Sequence, residues 1–274
     1  MNTLQKLQRA EELLKKADAL LITAGAGMGV ESGLPDFRGS EGFWRAYPRV
    51  KELGLRFEEM ANPEWFERDP SLAWAFYGHR LKLYRETIPH KGFHLLRTLS
   101  ESRHYGSFVF TSNVDGQFQM AGFDERHIME CHGSIHYLQC TRNCQGSIWP
   151  AEGINISIDE DFKALEPLPR CPDCGILARP NILMFGDRGW ESSRTDAQSR
   201  RLQAWLTTVE DAEAKLAIVE IGAGTAVPTV RNMSEYIAER FAVPLIRINP
   251  RESFGAEIGI EIGALEALEQ IIGS

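Results

Sequence analysis

The chain has 274 residues, 43% of them hydrophobic and 25% charged, with a formal net charge of −8. That length buries a full core and leaves room for one large domain with a smaller insert. The composition is that of a soluble globular protein, no apolar run reaches the length of a membrane span, and the acidic balance argues against nucleic acid or an anionic membrane as partner.

Residues 1–18 are charged, and Leu4, Leu7, Ala10, Leu14 and Ala17 recur at helical spacing, which predicts an amphipathic helix and not an export signal. The apolar run 19–23 predicts a buried strand leading straight into Gly25-Ala26-Gly27. A strand entering Gly-x-Gly presents backbone N–H groups to a pyrophosphate, and glycine permits the close approach. Residues 41–104 are rich in aromatics and helix formers, with no clear strand. Further strands are predicted at 108–111, 127–130, 182–185, 216–221 and 245–248, with helical patterns at 198–209 and 230–241. This alternation predicts an α/β fold, a doubly wound Rossmann-like parallel sheet covered on both faces. Residues 1–40, 105–136 and 180–274 are expected to form that nucleotide-binding domain. The helical module 41–104 and a cysteine-bearing module 137–179 are expected to build a smaller one.

Four of the five cysteines fall in two close pairs, Cys140 with Cys144 and Cys171 with Cys174. With no export signal a reducing, cytoplasmic compartment is expected, which favours metal ligation over disulfides. Four thiolates suit a closed tetrahedral structural zinc site with no open position for chemistry. His136, four residues before Cys140, is a competing ligand. Cys131, left over, reads as a buried small apolar residue.

Three other clusters carry polar groups suited to chemistry. Thr111-Ser112-Asn113-Val114-Asp115-Gly116-Gln117 follows a predicted strand, where an Asn and an Asp hold ribose and carboxamide groups or simply form an Asx turn. In Glu130-Cys131-His132-Gly133-Ser134 the histidine stands at a strand end with a side chain that titrates near neutrality, as a general base needs. In Phe76-Tyr77-Gly78-His79-Arg80 the tyrosine and arginine lie at i and i+3 and share a helix face. A phenol and a guanidinium there can hold a carboxylate, or pack and be solvated.

The glycine segment continues as Met28-Gly29-Val30-Glu31-Ser32-Gly33-Leu34-Pro35-Asp36-Phe37-Arg38-Gly39. With the Asn113–Asp115 and His132-Gly133 motifs in order behind it, the chain resembles the sirtuin family of NAD-dependent protein deacylases over residues 20–249. The resemblance implies that Gly25, Ala26, Gly27 and Glu31 bind NAD together with Asp36, Phe37 and Arg38, and that Phe37 shields the site. It puts Ser112 at a ribose where the family usually has glutamine. Asn113 is implied to polarise the nicotinamide ribose, Asp115 to hold the nicotinamide amide, and His132 to act as the base. Gly222, Gly224, Thr225 and Asn249 fall on the phosphate and adenosine side. Arg179-Pro180-Asn181-Ile182-Leu183-Met184-Phe185-Gly186-Asp187 resembles the family segment that pairs with substrate peptide, so Val114, Phe185 and Gly186 are substrate contacts. The four cysteines match the family's zinc module.

The implied reaction removes an acyl group from lysine, consumes NAD, and yields nicotinamide, O-acyl-ADP-ribose and free lysine. The implied partners are acylated proteins or peptides, with a monomer favoured. Tyr77, Arg80 and the small Ser40 resemble the subgroup that removes succinyl and malonyl groups. Gly29, Ser112, Gln117-Phe118 and the loop 222–228 depart from the usual pattern, and Asn113-Val114-Asp115-Gly116-Gln117 with Gly222-Ala223-Gly224 are reminiscent of bacterial sirtuins that transfer ADP-ribose to proteins. A protein ADP-ribosyltransferase or NAD hydrolase, and a non-catalytic NAD or ADP-ribose sensor, therefore stay open beside the deacylase that His132 favours.

Overall fold

The computed structural model describes residues 1–35, 43–44 and 47–273. Among them nine strands form two sheets: β1 (Ala19–Ala24), β2 (Ser107–Thr111), β3 (Ile128–Glu130), β4 (Gly133–Cys140), β5 (Ile148–Pro150), β6 (Ala178–Ile182), β7 (Leu216–Ile221), β8 (Leu245–Ile248) and β9 (Ile258–Ile260). The first sheet is parallel throughout, in the order β3-β2-β1-β7-β8-β9. β1, β7 and β8 are buried at every position, so their sequences are mostly apolar; the exceptions find partners inside, Thr23 with Ser234 and Glu220 of β7 with Arg247 of β8. Strand order reverses between β1 and β7. Ligands bind at the carboxyl ends of strands beside such a reversal.

Five of the predicted strands lie in this sheet, within a residue of their expected ends. The strand predicted at 182–185 does not. The chain is extended earlier, as β6, which pairs antiparallel with β4 in the second sheet, β5-β4-β6. Beyond Ile182 the backbone leaves the ladder: Leu183 N–H donates to His132 O at 3.0 Å and Phe185 N–H to Ala61 O at 2.9 Å.

The helix Thr3–Lys16 starts at a reciprocal cap between Asn2 and Gln5. It packs on β9 and on the helix Ala264–Ile272 through Leu7, Ala10 and Leu14. Leu4, expected on that face, is 63% exposed because it sits in the first turn, ahead of the contact.

Two excursions leave the parallel sheet. Between β1 and β2 come the 3₁₀ turn Ala26–Ser32, short helices, and the long helices Pro70–Glu86 and Lys91–Glu101. Asp69 caps Pro70–Glu86 by accepting from Leu72 N–H at 3.0 Å, and Pro70 occupies the first turn, where no N–H is needed. Between β3 and β7 lies the second sheet. The excursions share a core in which Phe43, Phe66, Trp74 and Phe76 meet Ile135, Leu138 and Ala178. Trp74 Nε1 donates to Ala178 O at 3.0 Å. Among the described residues no helix is long and apolar enough to cross a membrane.

Candidate active site

The turns that end β1 and β7 meet backbone to backbone. Gly25 N–H donates to Ile221 O and Gly27 N–H to Gly222 O, both at 3.0 Å. Gly222 has φ +64°, and a Cβ placed there would lie 2.4 Å from the Gly27 carbonyl carbon and the Met28 nitrogen. Only glycine meets both demands. Neighbouring strand ends brace the turns: Asn113 Nδ2 donates to Gly25 O at 3.0 Å, and Asn249 Nδ2 to Ala223 O at 2.8 Å. Asn249 Oδ1 accepts from the N–H groups of Arg251 and Glu252 at 3.0 Å each.

A cavity of about 1070 Å³ opens at these strand ends. From β1 and β2 it is lined by Gly25, Ala26, Ser112, Asn113, Val114 and Asp115, and from the end of β3 by His132. The β7–β8 side contributes Gly224, Thr225, Arg251 and Glu252. Phe185 and Gly186 form part of the rim, and the helix Pro70–Glu86 supplies Tyr77, Arg80 and Tyr84. Gly27, Gly222 and Asn249 act behind this wall. Glu31 is not brought to it: its carboxylate accepts from Leu265 N–H at 2.7 Å, at the start of the helix Ala264–Ile272, where a negative charge is favourable. Asp36, Phe37, Arg38 and Ser40 lie outside the described residues.

Burial raises the Asp115 carboxyl to about 6, with help from the charge of Glu130 and against the hydrogen bond from Gln117 N–H. Glu130 itself is held by Arg194 at 2.5 Å. Burial lowers the His132 imidazole below its ordinary value, so at neutral pH it carries a free lone pair. Burial pushes the neighbouring Cys131 thiol up to about 12, which favours the protonated thiol over the thiolate.

Tyr77 is 1% exposed, and its Oη is buried with no hydrogen-bond partner among the described residues. Arg80, 5% exposed, directs Nε and Nη2 to Tyr84 Oη at 3.1 and 2.9 Å. The rings of Phe57, Phe76, Tyr77 and Tyr84 surround its guanidinium at 5.3–5.9 Å. Tyr84 escaped the sequence reading, although it stands four residues past Arg80 on the same helix face. A buried two-pronged pair, Arg179 to Asp187 at 2.7 and 2.9 Å, fixes the 183–187 segment against β6.

The four cysteine sulfurs all lie within 4.8 Å of one another, with Cys140 and Cys174 at 3.6 Å and Cys144 and Cys171 at 3.7 Å. A tetrahedron of thiolates about 2.3 Å from zinc has edges of about 3.8 Å. The cluster fits that ion and leaves no open position. His136 takes no part: its Nε2 donates to Asp115 O at 2.8 Å, on the cavity side.

The Sir2 family profile matches residues 25–212. The chain belongs to the Sir2 family. This Sir2 chain is 36% identical over 203 residues to a Pyrococcus furiosus protein named NAD-dependent protein deacylase, covering 74% of this chain and 75% of that one. It is 30% identical over 259 residues, 93% of each, to NAD-dependent protein deacylase 1 of Caldanaerobacter subterraneus subsp. tengcongensis. A solved structure described as a Sir2 homolog-NAD complex superimposes with a TM-score of 0.70 at 26% identity, over 97% of this Sir2 chain and 92% of the other.

Proposed function

We propose that this protein is an NAD-dependent protein lysine deacylase, with a preference for acyl groups that end in a carboxylate. The observation that carries the reading is one cavity lined by the glycine turn, Asn113, Asp115, His132 and the Tyr77–Arg80–Tyr84 group. NAD fits its walls: bare glycine backbone can meet the pyrophosphate, and the Glu252 carboxylate can accept from ribose hydroxyls. Bound there, NAD supplies an electrophilic ribose carbon and nicotinamide as leaving group.

In this reading Asn113, already fixed by Gly25 O, orients the nicotinamide ribose, and Asp115 holds the carboxamide. His132 removes a proton from the ribose hydroxyl that attacks the acyl carbon, and burial keeps its lone pair available. Val114, Phe185 and Gly186 hold the substrate backbone along the rim. The buried phenol of Tyr77 and the guanidinium of Arg80 meet the acyl terminus, where acceptor oxygens would complete Tyr77 Oη. With one water consumed, which supplies the oxygen and hydrogens the released lysine and acyl ester need, the products are nicotinamide, O-acyl-ADP-ribose and free lysine. Zinc on Cys140, Cys144, Cys171 and Cys174 stiffens the end of the second sheet, and free thiols suit a reducing compartment such as the cytoplasm. Residues 1–40, 105–136 and 180–274 serve as the NAD-binding domain, with 41–104 and 137–179 as the smaller one.

Purified protein with NAD and acetyl-, succinyl- and malonyl-lysine peptides, read by mass spectrometry, tests this. His132→Ala should abolish acyl removal while NAD still binds. Nicotinamide release with every acyl group left in place would favour ADP-ribosyl transfer or NAD hydrolysis instead.

A further inference from the structure

The helix Pro70–Glu86 carries a third polar group into the cavity, one turn beyond Arg80. Tyr84 Oη accepts two N–H bonds from the guanidinium, from Nε at 3.1 Å and Nη2 at 2.9 Å. A phenol oxygen has two lone pairs, so both are committed and its own proton remains to be donated. Among the described residues Tyr84 Oη makes no hydrogen bond other than these two. Tyr77 Oη–H, across the same guanidinium, is likewise without a partner. Buried hydroxyls normally find one. Two unclaimed phenol protons therefore flank one cation inside a single cavity. Their common complement is an anion with acceptor oxygens that spans both.

We infer that Tyr84 is a specificity-determining residue of this protein, donating its phenol proton to the terminal carboxylate of the acyl group while holding Arg80 in register. The inference rests on the acidic-acyl reading above. Bonds from the guanidinium polarise the Tyr84 O–H and make it a stronger donor, as in any hydrogen-bond chain. An acetyl group has no acceptor beyond its amide carbonyl, and so none at its far end to offer either phenol. Tyr84 thus discriminates twice, by what it gives a carboxylate and by what it is denied by acetyl. Phenylalanine at this position keeps the ring and removes both the donor and the acceptor.

The test measures KM and kcat separately for succinyl-, malonyl- and acetyl-lysine peptides at saturating NAD, for the wild type and Tyr84→Phe. Loss of a hydrogen bond to a charged group predicts a rise in KM for the acidic peptides of roughly tenfold to a hundredfold. kcat for the acidic peptides should stay within about twofold, and KM for the acetyl peptide should not rise. A merely structural tyrosine would weaken all three peptides together. Tyr84→Gln, which keeps an oxygen acceptor and an N–H donor, should fall between the two, and it replaces Tyr84→Phe if that variant melts early. Wild-type preference for acidic groups that survives both substitutions overturns the role of Tyr84 and leaves the acidic-acyl reading standing. A wild type that removes acetyl but neither acidic group sinks the reading and the inference with it.

Discussion

Replacing Gly222 by alanine should be the most damaging single methyl in this protein. Two costs combine. A non-glycine residue at φ +64° loses about 1–2 kcal/mol relative to glycine. The new Cβ also lands 2.4 Å from the backbone at Gly27 and Met28, so a strand-end turn must move instead of a flexible side chain. Overpacking of this kind adds about 1–3 kcal/mol. The sum, about 2–5 kcal/mol, corresponds to a fall in melting temperature of roughly 10 °C at its middle for a chain of this size. Because the displaced turn faces the cavity, NAD affinity should fall at least about tenfold. Gly153→Ala provides the control. Its φ is +74°, yet nothing lies within 4 Å of the added Cβ, so it should show the backbone cost alone. Differential scanning calorimetry and NAD titration on both variants decide the matter. If Gly222→Ala melts no lower than Gly153→Ala and binds NAD normally, the contact between the two turns does not hold the cofactor site.

Asp115 gives a pH prediction. Its folded pKa of about 6 lies above the unfolded 3.8, so its contribution to stability is complete below the unfolded value and is lost as pH rises through 6. A shift of about two units amounts to roughly 3 kcal/mol, as an order of magnitude. Asp115→Asn stays neutral, so its melting temperature should gain on the wild type between pH 4 and 7 and run parallel above that; a gap constant with pH would refute the assignment. For the cysteine cluster, metal analysis should find one zinc per chain, and a chelator or Cys171→Ser should lower the melting temperature. A metal-free chain that melts like the untreated protein would mean the four thiols need no ion.

The parallel sheet was legible because β1, β7 and β8 are covered on both faces and are apolar at most positions, Glu220 and Arg247 being tolerated as a buried pair. β4 was not, because a bulge between Ser134 and Leu138 breaks the alternation that marks a strand. The misplaced strand at 182–185 shows the same limit from the other side. Apolar residues there serve a cavity wall as well as a core: Met184 is buried, while Leu183 and Phe185 are each 38% exposed. Asn113, Asp115 and His132, polar residues at strand ends that all line the cavity, stood out by type and position. Tyr84 did not, since its part depends on where the Arg80 guanidinium turns. Glu31 misled for a related reason: a carboxylate next to a glycine turn serves equally at the start of a helix brought close by folding.

Both excursions leave the parallel sheet at a strand's carboxyl end, after β1 and after β3, and return only at the start of the next strand in sequence, β2 or β7. The strands β2 and β7 are thus separate along the chain from the helix Pro70–Glu86 that carries Tyr77, Arg80 and Tyr84. Under the proposed function, substitution along Pro70–Glu86 would retune which acyl terminus is accepted without touching Gly25, Asn113 or Gly222. A lineage built this way can diversify its substrates by editing one helix while inheriting its cofactor chemistry intact, and laboratory evolution of new acyl preferences has its natural library at positions 77, 80 and 84.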